Sequence, residues 1–142
     1  MPPDSDNTQI VLFYPTQSLI EQISELVASW SGLSVVVSAA ARPQSIRQAA
    51  AAAVATIIDA TEDPARGARV LSAALPAVGP RRLAVYTEVL HPGLELFVRV
   101  RGPFLLVGPM KPRQWSDYLA YATQTPVTEQ VRLVPRSKAP KR

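Results

Sequence analysis

Ala55-Thr56-Ile57-Ile58-Asp59 decides the fold of this chain. An apolar, partly β-branched run of the kind that fits a buried strand ends in a single aspartate, with Pro64 and Gly67 shortly beyond it. The same rhythm recurs on both sides. Ile10-Val11-Leu12-Phe13 and Leu33-Ser34-Val35-Val36-Val37 precede the run; Arg82-Leu83-Ala84-Val85-Tyr86, ending at Thr87, and Phe104-Leu105-Leu106-Val107 follow it. A helix-like segment comes after each strand. Strands alternating with helices imply a parallel sheet covered on both faces. Right-handed crossovers leave few arrangements. The common five-strand solution has the order 2-1-3-4-5, with a ligand crevice at the carboxyl ends of strands one and three. The expected fold class is therefore α/β, a doubly wound five-stranded parallel sheet with helices on both faces.

The helical segments carry their own signals. Ser18-Leu19-Ile20-Glu21 fits a capping box, in which the serine bonds the third helical N–H and the glutamate bonds back. Leu19, Ile20, Ile23, Leu26, Val27 and Trp30 then fall at helical spacing, and Gly32 supplies a stop. Pro43, Pro64, Pro92 and Pro112 stand where the later helices open, a position at which the fixed φ fits and the missing N–H costs nothing. The alanine run 49–53 suits a helix lying close to a sheet. The segment after Pro92 is also compatible with a strand, because Glu95 to Arg101 partly alternates; the topology favours a helix.

Composition narrows the function. At 142 residues and 47% hydrophobic, the chain can bury a real core and is expected to be one domain. It has no cysteine, so disulfides and thiolate metal sites are excluded, and a single histidine, His91, argues against a histidine-based zinc site. No apolar run approaches the roughly 20 residues of a membrane span, and the polar, acidic N-terminus is not a signal peptide. A cytoplasmic protein is the plain expectation. The charge of +4 is concentrated in a tail containing Arg132, Arg136, Lys138, Lys141 and Arg142 against one acid, Glu129. The high isoelectric point therefore reflects the tail rather than a basic binding face, and nucleic-acid binding is not expected. The organisation reads as a flexible segment 1–8, a domain 9–123 and a basic, proline-containing tail 124–142.

From about Gln9 to Thr123 the chain resembles the receiver domain of two-component response regulators, which has a flavodoxin-like (CheY-like) fold. Asp59 corresponds to the phospho-accepting aspartate that ends strand three, and Gly67 falls where receivers often have glycine. Thr87 matches the residue that reads the phosphoryl group, and Pro109 the proline that commonly follows a cis peptide bond. Other positions depart from the pattern. Tyr14 and Pro15 stand where receivers have the acidic pair that holds Mg²⁺. Gly108 replaces the lysine, Glu88 a small residue, and Leu105 a frequent switching aromatic.

These departures bear directly on the chemistry. Mg²⁺ takes octahedral oxygen ligands, usually including one or two carboxylates. Phosphoryl transfer rests on positioning and charge neutralisation. Asp59 alone supplies one carboxylate and no cation. Glu62 and Asp63 are candidate substitutes for the acidic pair and Lys111 for the lysine, although Asp63 is more simply a helix cap. Tyr14 is read as a plug beside Asp59, with packing under the loop as the alternative, and His91 as a solvated loop residue.

The resulting expectation is a degenerate receiver that acts by protein–protein interaction, without enzymatic activity and without a cofactor. The resemblance implies a signalling partner such as a histidine kinase or an output protein. It also implies docking or homodimerisation through helix four, strand five and helix five. Leu94, Phe97, Val98 and Trp115 are the candidate surface residues. Leu96 and Val100 belong to the same apolar set, of which one short amphipathic helix buries about half, and Trp115 is read first as helix–sheet packing. Two alternatives stand beside this reading. One is a working receiver that phosphorylates Asp59 with Mg²⁺. The other is a small-ligand domain of the same fold, for which neither a GxGxxG nor a P-loop motif is present.

Overall fold

A computed structural model describes residues 8–123. Five strands, β1 (Thr8–Phe13), β2 (Leu33–Ser38), β3 (Ala55–Asp59), β4 (Leu83–Thr87) and β5 (Phe104–Val107), form one sheet. All the pairings are parallel and the order is β2-β1-β3-β4-β5, the one expected from the alternation of elements. The helices are α1 (Gln17–Ala28), α2 (Pro43–Ala51), α3 (Pro64–Ala74), α4 (Pro92–Arg101) and α5 (Pro112–Thr123).

The sheet divides the core in two. On one face Ile10, Leu12, Ile57 and Tyr86 pack against Leu19, Ile23 and Leu26 of α1 and Trp115 and Leu119 of α5. On the other, Val11, Phe13, Ile58 and Val85 pack against Ile46 of α2, Val70 and Leu71 of α3, and Leu94 and Val98 of α4. Every residue of β3 and β4, two of the three inner strands, is buried, as expected for strands covered on both faces. Gly67 has a packing reason: a Cβ there would lie 2.7 Å from the Cβ of Ala60, so glycine lets α3 approach the end of β3.

Several boundaries differ from expectation. Thr8 belongs to β1, and its hydroxyl donates to the Gly32 carbonyl at 2.7 Å, so the strand starts inside the segment read as flexible. Helix α1 is capped by Thr16, not Ser18: the Thr16 hydroxyl accepts from the Leu19 N–H, while the Ser18 hydroxyl is engaged elsewhere. A short 3-10 turn over Pro80–Arg82 takes Arg82 out of β4. The segment from Pro92 is helical throughout and ends at Gly102 in the left-handed conformation. Residues 1–7 and the basic tail 124–142 lie outside the described residues.

No helix among the described residues is long and apolar enough to cross a membrane. Leu12 is fully buried in β1, among side chains from β2, β3 and α1. Leu12→Ala is expected to cost about 2–5 kcal/mol through lost transfer energy and a residual cavity, measured as a fall in the urea midpoint at unchanged slope.

Candidate functional site

The site of interest is the carboxyl edge of the sheet, where β1, β3 and β4 deliver Tyr14, Asp59 and Thr87. Asp59 is 2% exposed, and both its oxygens are engaged. Oδ2 accepts from the Thr16 N–H at 2.8 Å and from the Thr16 hydroxyl at 2.9 Å, and Oδ1 accepts from the Thr61 N–H at 2.9 Å. A buried carboxyl group needs such partners. Thr16 thus works twice, capping α1 with one lone pair while its proton and amide hold the aspartate.

Thr87 does not reach toward Asp59. Its buried hydroxyl donates to the Val89 carbonyl at 2.7 Å and accepts from the Val89 N–H, closing a local turn. Tyr14 adopts a φ of 55°, left-handed backbone that is uncommon outside glycine. The phenol donates to the carbonyls of Ala39 and Ala40, and the Arg66 guanidinium lies 4.1 Å above the ring centroid. Of the two readings of Tyr14, the contacts favour packing under the loop after β2 over a plug beside Asp59. Asp63 caps α3 by accepting from the Arg66 N–H, while Glu62 and Lys111 are exposed. Leu105 is half-buried against the core on the α3 and α4 side.

The lysine position is filled in a different way. The Gly108–Pro109 peptide is cis, and a Cβ on Gly108 would lie 2.4 Å from Tyr86 Cε1 and 2.5 Å from its hydroxyl. Tyr86 thus occupies the space into which any side chain at 108 would have to enter. Its phenol donates to Glu88 Oε2, which also accepts from the Ser18 hydroxyl at 2.6 Å. Gln22 completes the cluster. Its amide N–H₂ reaches the Tyr86 hydroxyl at 2.8 Å, and its carbonyl oxygen accepts from the Met110 N–H and the Trp115 indole N–H. The Tyr86 and Trp115 rings pack with centroids 5.7 Å apart. Burial, and then the bond to Glu88, raise the Tyr86 phenol well above its ordinary value. The Ser18 hydroxyl first, and then Tyr86, hold Glu88 below the usual 4.5.

Sequence reasoning found Asp59, Thr87, Glu88 and Gly108 but missed Thr16, Thr61, Ser18, Gln22 and Tyr86. Gln22 did carry a signal, as a polar residue beside the apolar stripe of α1. The closeness of Tyr86 to Gly108 is a tertiary fact with no local signature. Among the described residues no three His, Cys, Asp or Glu side chains are grouped to hold a metal. The donors around Asp59 do not fit Mg²⁺ of the receiver type: they are one carboxylate already bonded on both oxygens and neutral N–H and O–H groups.

No family model matches the chain, and no curated protein matches it in sequence. Solved structures do resemble it. A CpaE pilus assembly protein from Burkholderia thailandensis is 17% identical with a TM-score of 0.59, covering 81% of this chain and 97% of that one. The receiver domain of a sensor histidine kinase from Pseudomonas aeruginosa, with magnesium in its active-site cleft, is 16% identical with a TM-score of 0.56, covering 83% and 99%. A CheY-like response regulator from Mesorhizobium loti is 14% identical with a TM-score of 0.52, covering 82% and 98%. The fold is therefore that of CheY-like receiver domains, with the five-stranded order and five helices expected from sequence.

Two predictions follow from the Tyr86 cluster. Gly108→Lys restores a cation but overpacks against Tyr86, and should cost about 1–3 kcal/mol. In urea titrations Tyr86→Ala should relieve part of that cost, so the double variant is more stable than the sum of the singles implies; strict additivity would disprove the packing argument. The second concerns pH. Because Glu88 is held below 4.5 in the folded chain, its contribution is complete above that value and is lost as pH falls below it. The stability gap between wild type and Glu88→Gln should therefore be constant near neutrality and close on acidification from about pH 5 downward.

Proposed function

We propose that this domain is a receiver-fold interaction module that works without conventional Mg²⁺-dependent aspartyl phosphorylation. The observation that carries this reading is the closure of Asp59. Its oxygens are bonded to Thr16 and Thr61, and the neighbouring lysine position is glycine with a tyrosine packed against it. A phosphoryl group on Asp59 would break those bonds and bring close to two negative charges beside no cation. The Thr87 hydroxyl gives its proton to the Val89 carbonyl and so has none left to donate to a group on Asp59.

The surface that remains for work is the face of α4, β5 and α5. The residues first assigned to it need correction: Leu94, Val98 and Trp115 are buried core and Phe97 is half-buried. The exposed apolar residues are Leu96 and Val100, 65% and 70% exposed, with Phe104, Val107 and Tyr121. Phe104 stacks edge-on against Tyr118 and Tyr121, giving a firm aromatic platform on the exposed strand β5. Such a patch on a small domain suits a protein partner or a second copy. The partner is a cytoplasmic signalling protein, such as a histidine kinase or output protein, or an assembly component. The pilus-assembly descriptions of similar folds favour the latter.

Mg²⁺ with beryllofluoride is expected to leave the amide NMR spectrum unchanged; shifts at Asp59, Thr61 and Thr87 would restore a phosphorylated switch. Val100→Asp and Val107→Asp should abolish partner capture or self-association while changing stability by no more than about 0.5 kcal/mol.

A further inference from the structure

A second surface, apart from the α4–β5–α5 face, is built between α2 and α3. Neither helix contains an acidic residue, and between them they carry Arg47, Arg66 and Arg69; the cap of α2 adds Arg42, and the cap of α3 is Asp63. The one ion pair found among the described residues, Arg99 with Glu95, is on α4. Between the two helices runs a groove floored by Ile46, Val70 and Ala73, with a cavity of about 200 Å³ bounded at one end by Tyr14 and Arg66. Past Pro43, Arg69 and Ala73, which both share, it continues into a more open hollow of about 450 Å³ that ends at Phe97.

The groove has the parts needed to hold a peptide. Alanines at 40, 41, 68 and 73 leave space that larger side chains would fill. Stacking on Tyr14 fixes the plane of the Arg66 guanidinium, whose Nε is buried without a hydrogen-bond partner. Arg69 is exposed on the wall shared by both cavities. Planar guanidiniums of this kind match carboxylates in geometry and charge.

We infer that the α2–α3 groove docks an acidic amphipathic peptide segment of a partner protein. Its apolar side chains enter between Ile46, Val70 and Ala73, and its carboxylates meet Arg66 and Arg69. The occupant is a peptide rather than a nucleic acid because the floor is aliphatic. A nucleic-acid groove would present exposed aromatic faces for base stacking, and here the one ring at the arginine end is already covered by Arg66. The inference does not rest on the α4–β5–α5 surface.

The test titrates the isotope-labelled chain with a short synthetic peptide of alternating leucine and glutamate pairs, with its leucine–lysine counterpart, and with oligo-dT. Amide shifts confined to α2, α3 and the loop after β2 are expected for the glutamate peptide and absent for the lysine peptide. Arg69→Glu, at an exposed position, should weaken binding by at least about tenfold, a loss of 1.4 kcal/mol. Ala73→Phe fills the groove without altering charge and should weaken binding to a similar extent, whereas Val100→Asp should leave it unchanged. Equal response to both peptides, no response, or insensitivity to Ala73→Phe would overturn the inference. Stronger binding of oligo-dT would assign the face to nucleic acid instead, and self-association lost in Arg69→Glu would assign it to a second copy.

Discussion

The carboxyl edge of this sheet is organised by the bonds from Thr16 to Asp59. A carboxyl group buried at the end of an inner strand needs hydrogen-bond donors, or it opposes folding. Here the donors come from the residue that caps α1. One side chain therefore fixes the start of α1, the turn after β1 and the end of β3. Thr61 closes the other oxygen with a backbone N–H, which fixes the turn into α3. The aspartate is a joint between three segments, and any chemistry on it would have to undo that joint.

A second substitution of one interaction for another stands beside it. Where a receiver places a lysine, this chain places the ring of Tyr86 against a glycine. The cationic function has not moved nearby, because the cluster holds one acid, Glu88, and only neutral donors: Ser18, Tyr86 and Gln22. Those donors suit a half-buried carboxylate at the end of a strand, and they link α1, β4 and the loop into α5. A buried polar network with its partners in place favours one arrangement over alternatives. Switching between states would require breaking several such bonds together. The local chemistry thus suits a fixed platform better than a bistable one.

Much of this was legible in the sequence, and the limits are physical. Strand order followed from alternation and handedness, because a parallel sheet leaves few topologies. The helical state of the Pro92 segment could not be read from its pattern alone, since Glu95 to Arg101 partly alternates; burial of Leu94 and Val98 against the sheet settles it. Thr16 was missed as the cap because Ser18 with Glu21 satisfies the local rule equally well, and only contact with Asp59 distinguishes them. The direction of Tyr14 depended on a left-handed backbone that no local motif announced. Leu94, Val98 and Trp115 were assigned to the surface from their elements, while the side of each element that faces water is set by packing.

The overall charge of the chain illustrates the same limit from another direction. Outside the tail, acids and bases balance, so composition gives no reason to expect a charged face. The balance conceals a division between helices. Helix α1 carries Glu21 and Glu25 and no base, whereas α2 and α3 carry Arg47, Arg66 and Arg69 and no acid. The sheet holds α1 and α2–α3 on opposite faces, so the fold separates the glutamates of α1 from the arginines of α2 and α3. A field of this kind orients partners as they approach, and its reach in the cell is about a Debye length of 8 Å. Steering over that range is useful only where a shaped surface lies beneath the charge. Beside the arginines the groove between α2 and α3 provides one, which makes the separation of charge part of the recognition surface rather than an accident of composition.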